Sequence, residues 1–294
     1  MKILITGANG FLGKNLYSTL CNIKEGKDRS YDIRVEEVLA LRHESNDSEI
    51  QNFVSNADVI FYLAGVNRPN SGSSFTQGNI QFLDRFLKVL KSVGKSCPIV
   101  FSSSTQALLQ GRYTNSEYGK TKLEAERLLF DYAFKSKAKV YIYRLPNIFG
   151  KWCKPNYNSV VATFCFNLAN DLPIRIDNRD IELELIHVDN VVREMINAVS
   201  GKQLHRCNYK DGCLIPNEAG QFCFVPNSYK VTLGIVADTI SYFSKHLNSI
   251  ELPGYSNSTF EQQLRSTFQS YLPVSKMAYI SCASRSTWKF YRVV

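Results

Sequence analysis

The sequence lacks any apolar run approaching the roughly 18 residues a membrane-spanning helix needs, so no membrane partner is expected. It also lacks a CxxC pair among its eight cysteines, at positions 21, 97, 153, 165, 207, 213, 223 and 282. Thiols scattered in this way predict reduced cysteines in a cytoplasmic protein rather than a disulfide framework. His205, Cys207, Cys213 and Cys223 could ligate zinc, but their spacing matches no standard finger. A loop with free thiols and no metal is expected there. The net charge is +9, yet there is no arginine-rich run and no basic patch interleaved with aromatics. Nucleic acid is therefore not an expected partner, and an anionic small molecule accounts for the basicity equally well. No acidic residue follows Glu261, whereas Arg265, Lys276, Arg285, Lys289 and Arg292 do. Internal repeats and low-complexity segments are absent.

What is present is the composition of a folded globular chain, with 44% hydrophobic and 21% charged residues in 294; it is not that of a disordered one. The N-terminus, MKILITGANGFLG, is apolar only briefly and then turns glycine-rich. That predicts a strand and a turn rather than a signal peptide. Strands are expected over Lys2–Thr6, Val38–Arg42, Val59–Ala64, Ile99–Ser102 and Lys139–Arg144. Helical spacing is expected over Phe11–Asn22, Ile50–Ser55, Phe75–Val93 and Tyr118–Lys135. Strands too apolar to have a wet face, alternating with helices, imply an α/β fold with a parallel sheet covered on both sides.

After Gly150 the rhythm breaks. Helices are expected over Val160–Asn170, Asp189–Val199, Leu233–Leu247 and Phe260–Tyr271, with a strand over Glu182–Val188. Thr232 is the expected N-cap of the third of these and Asp189 a candidate cap of the second. Residues 201–230 read as loop with short strands. The expected organisation is a doubly wound nucleotide-binding domain over 1–150, to which 185–200 return. A smaller substrate-binding lobe would comprise 151–184 and 201–294.

The stretch ITGANGFLGKNL sets Gly7, Gly10 and Gly13 between a strand and a helix. Glycines there permit a tight turn, close approach to a phosphate and close helix–strand packing. The helix start offers unpaired N–H groups to a pyrophosphate. Asn9, Phe11 and Leu12 complete this candidate cofactor turn. NAD sites place a carboxylate at the end of the second strand, and NADP sites place an arginine nearby. Here VLALRHES ends in Arg42-His43, which favours NADP(H) through a 2′-phosphate; Glu44 is the alternative, as a ribose ligand for NAD.

In EYGKTKLEAER, Tyr118 and Lys122 share one helix face. A ketone that receives hydride develops an alkoxide and needs a proton. A phenol supplies it well only if a nearby cation stabilises the phenolate. Lys122 is that cation. Ser102, Ser103 and Ser104 end the preceding strand, where ligands of parallel sheets bind, and a serine hydroxyl can stabilise developing charge. Glu117 and Glu124–Arg127 read as ordinary helix surface.

TGANGFLG, YLAG, SSS and YGKTK together resemble the extended short-chain dehydrogenase/reductase family, which acts mostly on nucleotide sugars. The resemblance implies Ser104 as the catalytic hydroxyl, with Ser103 as the other candidate. It sets Leu63, Ala64 and Gly65 under the cofactor. YRLPNIFG (Tyr143–Gly150) and IHVDNVV (Ile186–Val192) resemble two further family segments, the first implying Pro146 near nicotinamide and Asn147 near substrate. RLPNIFGKWCKPNYNSVVATFC and NSYKVTLGIVADTI are similar to the reductase domain of CapF/WbjC-type capsular polysaccharide enzymes, over the chain to about Leu272-Pro273. This implies NADPH reduction of the C4 ketone of a UDP-2-acetamido-2,6-dideoxy-4-ketohexose. The product would be UDP-N-acetyl-6-deoxy-L-talosamine, on the path to UDP-N-acetyl-L-fucosamine. Those enzymes carry a C-terminal cupin epimerase. Residues after Pro273 do not resemble its linker, so epimerase activity and its metal are not expected here, and a separate cupin could be a partner.

Candidate substrate residues are Asn147, Lys151, Trp152, Asn158, Arg179, His187 and Arg265. Trp152 could equally be core, and His187 a structural histidine in an apolar strand. Thr105-Gln106 stand where a dehydratase carries its acid–base pair, which argues against dehydration. An NAD-dependent 4-epimerase and a non-catalytic NADP-binding scaffold are the rival readings. Family resemblance further implies a homodimer through Phe75–Val93 and Tyr118–Lys135.

Overall fold

A computed structural model describes residues 1–42, 44–66, 77–202, 204–247 and 259–276. The chain divides into two compact units: Met1–Pro146 with Val188–Ser228, and Asn147–His187 with Tyr229–Val294.

Unit 1 is built on β1 (Lys2–Thr6), β2 (Glu37–Leu41), β3 (Val59–Tyr62), β4 (Ile99–Ser104) and β5 (Val140–Leu145). Their order is β2-β1-β3-β4-β5, and each neighbouring pair is parallel. β3 is buried along its whole length and β1 nearly so, as expected for strands covered on both faces. The covering helices are α1 (Phe11–Lys24), α2 (Asp47–Asn56), α3 (Phe82–Val93), α4 (Glu117–Ser136) and α6 (Val188–Ser200), with α5 belonging to unit 2. Phe82, Phe86 and Leu90 of α3 pack with Tyr62, Phe101 and Leu129 in the core. This is the Rossmann-type sheet the alternation predicts. The strand order reverses between β1 and β3, which opens the crevice where such folds bind ligands.

The sheet then continues beyond the predicted domain. β8 (Arg206–Lys210), β9 (Cys213–Pro216) and β10 (Phe222–Cys223) extend it, with Cys223 pairing in parallel with Tyr143 of β5. Residues 201–228 therefore belong to unit 1, not to the substrate lobe expected for them. Phe222, Tyr209 and Cys207 supply the reason, since they add apolar surface to the unit 1 core. At the other boundary, residues 147–150 and 185–187 fall in unit 2.

Of the helix expected over Phe75–Val93, residues 75 and 76 lie outside the described residues. The remainder opens with a π-helical turn, Gln77–Gln81, before α3. Asp189 is not an N-cap: α6 begins at Val188, so this carboxylate sits in the first turn, where the helix dipole favours it.

Unit 2 contains β6 (Asn147–Phe149), β7 (Glu182–His187) and β11 (Ser228–Thr232) in the order β11-β7-β6. Its helices are α5 (Val160–Ala169), α7 (Leu233–Lys245) and α8 (Thr259–Gln269). β7 alternates exposed Glu182 and Glu184 with buried Leu183 and Leu185. These leucines join Phe164, Ile240, Leu264 and Phe268 in a second core. Thr232 caps α7 as expected, its hydroxyl accepting from the Ile235 amide at 3.3 Å. No helix among the described residues is long and apolar enough to cross a membrane.

Between Arg42 and α2 the chain is fastened by a capping box: Asn46 and Glu49 exchange side-chain bonds with each other's amides at 2.9 and 3.0 Å. Asn46→Ala is expected to lower unfolding free energy by about 1 kcal/mol, read as a lower urea midpoint.

Candidate active site

The glycine turn occupies the reversal point of the sheet. Gly7 has φ +72°, a left-handed conformation that favours glycine. A methyl group there would lie 2.8 Å from the Ala64 backbone, so no side chain fits between the turn and the end of β3. Two bonds from the Leu63 and Ala64 amides, to the Thr6 carbonyl at 3.2 Å and the Thr6 hydroxyl at 3.1 Å, lock the two strand ends together. The Gly10 amide donates to the Gly7 carbonyl at 2.9 Å, and a methyl group on Gly13 would lie only 2.1 Å from that same oxygen. α1 thus starts hard against the turn, capped by Gly10 with no side-chain acceptor and no acidic residue in its first turn. Lys14 is the first amide bonded within the helix, to Gly10 at 2.8 Å. The amides of Phe11, Leu12 and Gly13 are left for an anion. This cradle fits the pyrophosphate of a nicotinamide dinucleotide.

Arg42 follows β2 directly, and the Thr6↔Leu41 register sets it beside the end of β1, exposed. Glu44 is exposed two residues later. Arg85 holds this turn, donating to the Ser45 carbonyl at 2.8 Å and to Asp47 at 2.5 Å. His43 lies outside the described residues.

Ser102, Ser103 and Ser104 end β4, and Ser104 pairs with Leu145, one residue before Pro146. The Ser104 hydroxyl oxygen accepts from the Gln106 amide at 3.2 Å, leaving its own proton to donate elsewhere. The Gln106 side-chain oxygen accepts from the Ser116 hydroxyl at 2.7 Å, and Ser116 caps α4 through the Gly119 amide at 3.0 Å. A methyl group on Gly119 would stand 2.3 Å from the Gln106 carbonyl. Only glycine lets the helix start close upon the turn that carries Ser104.

Tyr118, Lys122 and Glu126 project from one face of α4. The Lys122 ammonium is buried and donates to the Ser102 carbonyl at 2.8 Å. It stands 4.9 Å from the centre of the Phe101 ring and 5.7 Å from that of Tyr118. Burial brings its pKa down to about 8, against an opposing pull from Glu126. Burial also pushes the Tyr118 phenol well above its ordinary value. A methyl group on Gly65 would lie 3.3 Å from the Lys122 nitrogen, so the segment after β3 runs directly past the ammonium.

The structure thus brings the glycine turn, Leu63–Gly65, the serines, Tyr118 and Lys122 together within unit 1. The sequence reading missed the supports. Asn79 is buried, accepts from the Val66 amide at 2.7 Å and donates to the Thr121 hydroxyl at 3.2 Å, tying the segment after β3 to α4. Glu126, read as helix surface, is 1% exposed. It receives two bonds from Arg144, at 2.9 and 2.6 Å, and one from the Ser103 hydroxyl. Its i+4 spacing from Lys122 was the available signal.

The candidate substrate residues lie in unit 2. Asn147, Lys151, Trp152 and Asn158 are exposed. Trp152 has φ +69°, strained for a bulky residue, and the Lys151 ammonium sits 5.0 Å from its ring. Arg179 pairs with Asp238 at 2.5 Å. His187 is buried edge-on against Phe149, with ring centres 5.2 Å apart. Arg265 is half-buried on α8. His205 Nδ1 lies 2.9 Å from Glu194, Cys207 and Cys223 are buried and Cys213 is exposed. No group of three or more potential ligands that could hold a metal occurs among the described residues.

Gly119→Ala is expected to force α4 off the Gln106 turn and lower stability by about 1–3 kcal/mol, read from thermal unfolding.

A family model described as the NAD dependent epimerase/dehydratase family matches residues 3–206. A curated relative from Pseudomonas aeruginosa, UDP-2-acetamido-2,6-beta-L-arabino-hexul-4-ose reductase, is 34% identical over 279 residues, which cover 95% of this chain and 67% of the relative. Among solved structures, the capsular polysaccharide assembling protein CapF from Staphylococcus aureus is 38% identical with a TM-score of 0.75, covering 94% of this chain and 67% of that one. The Thermus thermophilus UDP-glucose 4-epimerase complexed with NAD shares the fold, with a TM-score of 0.67 at 15% identity, covering 92% and 99% of the two chains. The chain belongs to the NAD dependent epimerase/dehydratase family and is an extended short-chain dehydrogenase/reductase resembling CapF-type enzymes.

Proposed function

We propose that the protein is an NADPH-dependent reductase of a nucleotide sugar, acting on the C4 ketone of a UDP-2-acetamido-2,6-dideoxy-4-ketohexose. The product is UDP-N-acetyl-6-deoxy-L-talosamine, which leads towards UDP-N-acetyl-L-fucosamine for capsule or O-antigen synthesis. The observation that carries the reading is the buried Lys122 ammonium on the helix face of Tyr118, beside the Ser102 carbonyl and Gly65. The similarity to a 4-ulose reductase supports the substrate class.

Gly7, Asn9, Gly10, Phe11, Leu12, Gly13 and Leu63–Gly65 hold the dinucleotide, and Arg42 the 2′-phosphate. When bound there, NADPH would supply the hydride for the ketone carbon. Ser104 donates its hydroxyl proton as a hydrogen bond to the ketone oxygen and steadies the charge that grows there. Tyr118 delivers its proton to that oxygen. Desolvation keeps the phenol protonated, in the donor form, through neutral pH. The Lys122 ammonium lowers the cost of the phenolate left behind. Thr105-Gln106 provide no acid–base pair for dehydration.

Asn147, Lys151, Trp152, Asn158, Arg179, His187 and Arg265 are proposed to serve the UDP-sugar. Lys151 and Trp152 have the strongest case, because a strained, exposed indole beside an ammonium suits a nucleobase and its diphosphate. An epimerase that supplies the epimerised substrate is a proposed partner. A homodimer through α3 and α4 is supported by Phe134, which α4 leaves 76% exposed.

Tyr118→Phe is expected to cut ketone reduction by about 10²-fold or more while nucleotide binding persists; full activity in an NADPH-oxidation assay with UDP-4-keto-6-deoxy-HexNAc sugars would overturn the assignment. Arg42→Ala is expected to weaken NADPH but not NADH binding, and an equal loss for both argues for the NAD reading. The kcat/KM for reduction is expected to fall as pH rises through about 8, where Lys122 loses its proton.

A further inference from the structure

A buried lysine with a glutamate four residues on is set to form an ion pair. Lys122 and Glu126 stand one turn apart on the inner face of α4, about 6 Å along the axis. Both are buried, where opposite charges attract far more strongly than in water. Such a pair would swing the ammonium one turn away from Tyr118. The structure has a different arrangement. The Glu126 carboxylate is filled from the far side by the Arg144 guanidinium, bidentate at 2.9 and 2.6 Å, and by the Ser103 hydroxyl. The Lys122 ammonium turns instead to the Ser102 carbonyl, with Phe101 and Tyr118 as its ring neighbours.

Arg144 is itself held. The Phe222 ring lies 4.0 Å and the Tyr209 ring 5.0 Å from its guanidinium carbon, so residues of β10 and β8 clasp it. Its side chain is 8% exposed and that of Glu126 only 2%.

We propose that Arg144 is a positioning residue which occupies the Glu126 carboxylate and thereby leaves the Lys122 ammonium to Ser102 and Tyr118. This rests on the reading of Tyr118 and Lys122 as the proton-donating pair. Among the described residues, the charged or titratable groups around the ammonium are Tyr118 and Glu126 on α4 and Arg144 on β5, with the Tyr209 phenol of β8 beyond. Removing Arg144 leaves the carboxylate one buried cation among the described residues to bind, Lys122. Removing both members of the pair leaves nothing to draw the ammonium away, and neutral replacement of a buried pair is often tolerated.

The test compares wild type, Arg144→Met and Glu126→Gln/Arg144→Met, each confirmed folded by thermal melting. Wild-type turnover and its loss in Tyr118→Phe establish the underlying reading first, so failure there is distinct from failure of this proposal. In Arg144→Met, kcat is expected to fall about tenfold or more, because small displacements of a catalytic group are costly. The alkaline limb of its kcat/KM profile is expected to move up by about one pH unit, since a free carboxylate beside Lys122 favours the ammonium. In the double variant most of the turnover is expected to return and the limb to move back down. A purely structural pair would alter melting without moving the limb. Should Arg144→Met not fold, Arg144→Lys takes its place, because an ammonium cannot hold both carboxylate oxygens as the guanidinium fork does. The proposal is overturned if the single variant keeps turnover within about twofold of wild type. It is equally overturned if the folded double variant is as slow as the single one.

Discussion

A positive charge buried beneath the protein surface is the constraint around which unit 1 is organised. Taking an ammonium out of water costs several kcal/mol unless it is met by polar groups. Lys122 is met by one carbonyl, that of Ser102, and by the faces of two aromatic rings. That arrangement solvates the charge only partly, which is why its pKa falls to about 8. An incompletely satisfied ammonium is the electrostatic resource that a neighbouring phenolate needs. The same carbonyl that holds it belongs to the strand end bearing Ser104, so Lys122 and Ser104 share one backbone reference.

The surrounding residues read as consequences of keeping that reference fixed. Gln106 joins the Ser104 turn to the cap of α4, and Gly119 lets the two close up. Asn79 ties the segment after β3 to Thr121, adjacent to Lys122. Gly7 lets the glycine turn approach that segment without a side chain between them. Each link rests on a few hydrogen bonds or on a missing methyl group. Together they tie the glycine turn, the segment after β3, the end of β4 and the start of α4 to one another.

Much of this was legible from residue spacing. Three glycines between a strand and a helix, and a tyrosine and a lysine four apart, are local patterns with local physical meanings. Arg42 at the close of β2 was equally local. The supports were hidden because they depend on partners distant in sequence. Glu126 looks like helix surface until Arg144, on the strand after α4, is known to face it. The tract 201–228, rich in asparagine, glycine and proline, looked like part of the substrate lobe. A two-residue strand, Phe222–Cys223, ties it instead to the edge of β5, and no periodicity can reveal a ladder so short. The candidate substrate residues in unit 2 were inferred from side-chain chemistry and, for Asn147, from the family resemblance. Some of those side chains are committed locally, Arg179 to Asp238 and His187 to the Phe149 ring.

Unit 1 is interrupted: its chain leaves at Pro146 and returns only at Val188. The aromatic clasp on Arg144 comes from residues 209 and 222, both in the returning segment. During synthesis on the ribosome, the first five strands and α4 therefore emerge before the groups that cover this guanidinium exist. Until then the Glu126–Arg144 pair lies against water, where its attraction is weak. The aromatic cover of Arg144 must wait for the whole of the intervening segment to be translated. The surroundings of Arg144 are thus completed by residues that follow the whole of the inserted segment in the chain.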